Sequence, residues 1–141
     1  MKGHTITVSG KADLVKKGAE KIRKATLHVA LVEDMVRYTG SNGIRFHNFV
    51  VRKLLRSPTG TVLQKPGTRT VFRESVNVAA LGDSLEAYLA RFEKDQSKEH
   101  AEFKFQDKVG RIDPQQLVVV AFVQDDQTKE ILQAVVVTPA R

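Results

Sequence analysis

Hydrophobic and polar positions alternate with a period of two over several stretches of the chain, and with a helical period over one. In "HTITVSGKA", Ile6 and Val8 alternate with Thr5 and Thr7, the pattern of a half-buried first strand. "ATLHVALVEDMVRY" reads as a long strand with Leu27, Val29 and Leu31 on one face and His28, Ala30 and Val32 on the other. "VFRESVNV" carries the clearest alternation: Phe72, Val76 and Val78 on one side, with Glu74 the exception, and Arg73, Ser75 and Asn77 opposite. "AEFKFQDKV" sets Phe103 and Phe105 against Lys104 and Gln106 and predicts a further strand. "LVVVAFVQ" is an unbroken apolar run, expected to be buried on both faces. After the "DDQTKE" turn, "ILQAVVVT" returns, so the last two strands are expected to form a central hairpin of the core.

The helical period lies in "DSLEAYLARFEKDQ". Leu85, Tyr88, Leu89 and Phe92 recur at i, i+3, i+4 and i+7, a stripe suited to docking on a sheet. Asp83 and Glu86 have the spacing of a capping box, so the helix is expected over about 83–95. Breakers separate these elements. Asn42-Gly43 in "TGSNG" tolerates positive φ, Pro58 and Pro66 punctuate "SPTGT" and "QKPGT", and "VKKGAEKIRKA" is a charged connection.

The segment "RYTGSNGIRFHNFVVRKLL" admits two periods. As a helix, Phe46, Phe49, Val50 and Leu54 share a face, and Asn48 neighbours Arg52. As a strand, His47, Phe49 and Val51 lie opposite Asn48, Val50 and Arg52. The Val50-Val51 pair and the aromatics favour the strand. Phe46 and Phe49 are then expected in the core, which leaves Tyr38 as the free aromatic of the segment.

About seven strands with close turn signals and one late helix predict a mainly β fold, an immunoglobulin-like antiparallel β-sandwich with an inserted helix. The alternative is an α+β sheet with one packed helix. The 141 residues have the length of a single domain spanning 1–141, and 41% hydrophobic with 28% charged residues is ordinary globular composition. The chain opens on a strand pattern, so Met1 reads as the possible start of an excised domain. "MKGHTITVSG" has no apolar signal-peptide core, and no apolar run reaches membrane-spanning length.

Charge changes the picture in one respect. The net +7 is uneven: residues 1–75 carry 15 Lys/Arg and 5 Asp/Glu, whereas residues 76–141 carry 8 and 11. A basic half is compatible with polyanion or nucleic-acid binding, and equally with solvated strand edges guarded by cations. No nucleic-acid recognition motif accompanies the charge.

Candidate chemistry is sparse. The absence of cysteine removes disulfides, thiolate metal sites and thiol catalysis. His4, His28, His47 and His100 lack metal-ligand spacing, no serine lies in a nucleophile elbow, and no phosphate-binding glycine loop occurs. Glu33-Asp34 and Asp125-Asp126 are adjacent pairs, expected to be solvated turn residues. The expectation is therefore no catalytic, metal or cofactor residues. His47, Asn48 and Arg52 remain as a candidate structural or interaction motif, and an enzyme using His47 is the third alternative.

Two stretches carry a family resemblance. "HNFVVRKLL", after a strand ending "ALVED", and the closing "VVAFVQDDQTKEILQAVVV" resemble the Omp28-like C-terminal domain that accompanies thioredoxin-like domains in bacterial envelope proteins. His47, Asn48, Val50, Arg52 and Gly60 match the first motif; Phe122, Val123, Asp125, Thr128, Lys129, Leu132, Gln133 and Ala134 match the second. The resemblance covers roughly residues 26–137. It implies an immunoglobulin-like, non-catalytic accessory or protein-interaction domain in a periplasmic or secreted bacterial protein, with a thioredoxin-like domain or another protein as partner. A cytoplasmic location is the alternative. The chain departs from the pattern in having neither a lipidation cysteine nor a C-x-x-C half.

Overall fold

The computed structural model describes residues 4–14, 22, 24–39, 42–63, 67, 69–99, 103–105, 107 and 110–139. The protein is mainly β, with antiparallel strands and, among the described residues, a single α-helix. Nine strands occur among the described residues, two more than the alternation predicts: the short strands at 36–37, 46–47 and 61–63 are additional, and residues 103–105, predicted as strand, are not one. The charged connection predicted around residues 15–25 lies almost wholly outside the described residues.

The chain forms two compact units. One comprises Met1–Ile6, Glu33–Val50 and Val76–Leu117; the other comprises Thr7–Val32, Val51–Ser75 and Val118–Arg141. The second contains a five-stranded sheet built on β2 (Ala25–Glu33). One side of β2 pairs with β8 (Leu117–Asp125), which pairs with β9 (Ile131–Val137). The other side pairs with β6 (Thr61–Leu63) at Ala25–Leu27 and with β5 (Val50–Leu54) farther along, where the Leu55 amide donates to the Val29 carbonyl at 2.8 Å. β2 and β8 are both internal strands, and β2, which pairs with β5, β6 and β8, is the one on which the sheet is built. Leu27, Val29, Ala30, Leu31 and Val32 are all buried, so both of its apolar faces are used.

The expected central hairpin at the C-terminus is corrected by this order. Among the described residues β9 is an edge strand, and Ile131, Val135, Val136 and Val137 are exposed. β8 is only half-buried over much of its length. An apolar run specifies a strand but not its place in a sheet, and β2 supplies the doubly buried position first.

β1 (Thr5–Asp13) and β7 (Arg69–Asn77) form a separate two-stranded pair with the predicted alternation: Val8, Phe72 and Val76 are buried between exposed neighbours. β7 runs without a loop into α1 (Val78–Glu99). The helix starts five residues before the expected Asp83. Asn77 is its cap, its side-chain oxygen accepting from the Ala80 amide at 3.0 Å, and Asp83 lies exposed within the helix. The capping-box spacing was present, but an equally good acceptor stood upstream on a strand end.

The α1 stripe is also shallower than predicted, since Tyr88 and Phe92 remain exposed. Phe92 instead gathers Phe103 and Phe105, with ring centroids 5.9 and 5.8 Å away. Residues 103–105 form no strand. Glu93 accepts from the Phe105 amide at 2.8 Å and the Ser97 hydroxyl donates to the Phe103 carbonyl, so the backbone is tied to helix side chains rather than to a ladder. Farther on, Gly110 packs so closely against Glu86 that a Cβ there would overlap it.

The carboxylate pairs expected to be solvated are partly buried. Glu33 is 5% exposed, and its Oε1 accepts from the Asp113 amide at 2.8 Å. Asp113 in turn caps the 3-10 turn Pro114–Gln116 by accepting from the Gln115 amide. Asp125 is 6% exposed and serves a turn, as described below. Each buried carboxylate is satisfied by amide donors, which is what makes its burial tolerable.

Candidate interaction surface

The segment around His47 is neither one strand nor a helix. β3 (Val36–Arg37) and β4 (Phe46–His47) form a two-stranded hairpin in which Val36 faces His47 and Arg37 faces Phe46. The Tyr38 amide donates to the Arg45 carbonyl at 3.0 Å, extending the pairing by one step. At the tip, Gly43 has φ +77° and the Asn42 side chain accepts from the Ile44 amide, an Asx turn. Asn48-Phe49 then form a bend before β5, and Phe49 has φ +55°. The bend resets the alternation, which is why a single strand period assigned the faces wrongly.

Opposite positions of an antiparallel pair share a face. Val36 and His47 therefore project to one side, where Val36 is buried and His47 half-buried. The His47 Nε2 lies 3.2 Å from the Tyr38 carbonyl oxygen; a carbonyl only accepts, so this nitrogen donates. The His47 ring also lies 5.9 Å from that of Tyr38. His47 thus ties the loop that precedes it. Arg37 and Phe46 project to the other side and are exposed.

The expectation that Phe46 and Phe49 belong to the core is corrected: they are 58% and 54% exposed. Ile44 and Met35 are exposed as well, Met35 at 59% with φ +56°. The structure places His47 and Asn48 in the first compact unit, Asn48 exposed in the bend, and Arg52 on β5 in the second. The three candidates are not brought together into one constellation within either unit. Sequence reasoning passed over Met35 and Ile44 and assigned Phe46 to the core. The signal available was the short spacing between two turn-forming segments, "ED" and "TGSNG", which leaves room for only a two-residue strand.

The second resembling motif occupies the turn between β8 and β9. Asp125 Oδ1 accepts from the amides of Gln127 and Thr128, at 2.7 and 3.2 Å, and the Thr128 hydroxyl accepts from the Glu130 amide. Lys129 adopts φ +66°, its amide donating to the Asp125 carbonyl and its own carbonyl accepting from the Gln124 side chain. Asp126 accepts from the Thr26 hydroxyl at 2.8 Å and pairs with Lys24 at 3.1 Å. The Thr26 hydrogen bond, followed by Lys24, holds the Asp126 carboxyl below the ordinary carboxylate value.

Phe122 stacks on His28 with centroids 5.0 Å apart. Gly60 (φ +78°) closes against the same histidine: a Cβ would overlap Thr26 and stand 2.8 Å from the His28 ring. Gly60, Phe122, Asp125, Thr128 and Lys129 therefore all have folding roles. Among the described residues, no group of three His, Asp or Glu side chains is arranged to hold a metal, and no helix is long and apolar enough to cross a membrane.

No family model matches the chain, and no curated protein does. Among solved structures, the chain is similar to a domain of the outer membrane lipoprotein Omp28 from Porphyromonas gingivalis. The two are 16% identical, the match covers 96% of this chain and 86% of that one, and the TM-score is 0.49.

Proposed function

We propose that this chain is a non-catalytic protein-interaction domain that takes an extended segment of another polypeptide onto the free edge of β9. The observation that carries this reading is the character of that edge. β9 bears no ionisable side chain along Ile131–Val137, no proline interrupts it, and four of its large apolar residues are exposed. A bulge near Gln124 displaces its start, but Gln133–Val137 continue in regular register with β8. The unused side of such a strand offers backbone donors and acceptors to an added strand, with apolar side chains on both faces for specificity.

The same reading makes the domain an accessory of a thioredoxin-like domain in a bacterial envelope or secreted protein. That part is supported by the motif resemblance of residues 26–137. His47, Asn48 and Arg52 act in it as structural or interaction residues rather than as catalysts.

A photo-crosslinking residue at position 136, in the intact protein in its own cell, tests the edge. The expected product is a protease-sensitive, nuclease-resistant adduct that is absent when the probe sits at Lys94. No adduct, or one that nuclease removes, would overturn the reading.

A further inference from the structure

We infer that the β3–β4 hairpin is a second docking surface, separate from the β9 edge, and that its occupant is an acidic, apolar segment of a partner protein. Three independent observations converge on it. The first is the exposed set itself: Met35, Arg37, Ile44, Arg45, Phe46 and Phe49 lie on the hairpin and its flanks. Aromatic residues, methionine and arginine are the side chains enriched at protein interfaces, and lysine is depleted there.

The second is register. Arg37 stands directly across from Phe46, so a guanidinium and an exposed ring adjoin on one face. A carboxylate received by the arginine would bring a neighbouring apolar side chain onto the ring.

The third is backbone conformation. Met35 and Phe49, at the two ends of the hairpin, both hold a left-handed backbone that bulky side chains disfavour. Both side chains point into solvent, so folding alone gives no reason for a large residue at either place. Strain of this kind gathers at sites of function.

Charge selects the occupant. No Asp or Glu occurs in residues 35–50, the part of the chain that forms the hairpin and its flanks, and Arg37 and Arg45 are its charged side chains. Arg37 and Arg45 have no ion-pair partner among the described residues. The complement is therefore acidic. A single-stranded nucleic acid would also meet cations and rings. However, Ile44 and Met35 have no counterpart on a nucleic acid, and the hairpin carries no lysine for phosphate, so the surface fits a polypeptide.

This extends the protein-interaction reading to a different part of the chain, and one experiment separates the two. A random-peptide display library is selected against the full chain, and enriched peptides are synthesised and titrated by fluorescence polarisation. The enriched peptides should carry Asp or Glu beside a large apolar residue. Binding should fall about tenfold or more with Arg37→Glu and with Phe46→Ser, and hold with Val136→Lys. Arg37→Glu should in turn prefer a peptide whose acid is replaced by lysine. Arg45→Glu provides a second charge reversal should Arg37→Glu fail to fold by circular dichroism.

Enriched peptides without acidic residues, or affinities indifferent to the hairpin variants, would overturn the inference. So would oligothymidylate binding more tightly than the peptides and losing affinity in the same variants. Binding lost only with Val136→Lys would sink the hairpin while leaving the β9 reading intact.

Discussion

Two hairpins of this protein put similar means to opposite ends. The β8–β9 turn directs its side chains inward: Asp125, Thr128 and Gln124 spend their hydrogen bonds on the turn backbone, and Asp126 reaches back to Thr26 and Lys24. The β3–β4 hairpin uses Asn42 and His47 to close its loop and directs the large side chains outward. The contrast teaches that a conspicuous polar motif is not by itself a site. Asp125, expected to be a solvated turn residue, is buried turn construction; Phe46, expected in the core, is surface.

Substitutions can test this division, and the largest effect is expected where two folding roles meet. Gly60→Ala would force a side chain into left-handed backbone and push against Thr26 and His28, which support the β8–β9 turn from behind. A loss of about 3 kcal/mol is expected in urea unfolding. An unchanged midpoint would show that the turn does not depend on that packing.

Asp125→Ala strikes the turn directly. It removes a buried acceptor from the Gln127 and Thr128 amides, and about 2 kcal/mol should be lost. Asp125→Asn, which keeps an acceptor, should recover much of it; an equal loss would assign the effect to charge instead.

The Asp126 carboxyl gives a pH signature. Its folded-state pKa is lowered, first by the Thr26 hydroxyl, so its contribution to stability is fully present above the ordinary carboxylate value. That contribution is lost as pH falls through the lowered value. Thr26→Val should therefore flatten the acid limb of a plot of urea midpoint against pH. Parallel acid limbs for the two proteins would remove Asp126 from the account.

The smallest expected change is on the opposite hairpin. Phe46→Ser should alter stability by no more than about 0.5 kcal/mol, because the ring is already in water. A loss the size of that for Asp125→Ala would mean that Phe46 is core material after all.

Much of the architecture was legible in the sequence, and the failures share a cause. The alternation of Phe72 and Val76 and the apolar faces of Leu27–Val32 reported burial faithfully, because long regular strands express their period over many residues. Over 36–49 two strands of two residues each are separated by an Asx turn and followed by a left-handed bend. A two-residue strand has no period to read, so Phe46 and Phe49 were assigned by hydrophobicity alone. The placement of β9 was illegible for a different reason. Sheet order depends on which strands pair, and composition does not reveal that β2, with Thr26, His28 and Glu33 in it, is more deeply buried than the more apolar β9.

The bends at Met35 and Phe49 also make the chain tunable in one particular direction. Glycine at either position would relax the backbone and raise folding stability by about 1 kcal/mol each. A library screened only for survival at high temperature would therefore drift toward glycine at both positions. It would arrive at a hardier protein with two fewer side chains to offer, so heat tolerance and recognition should be selected together at these residues.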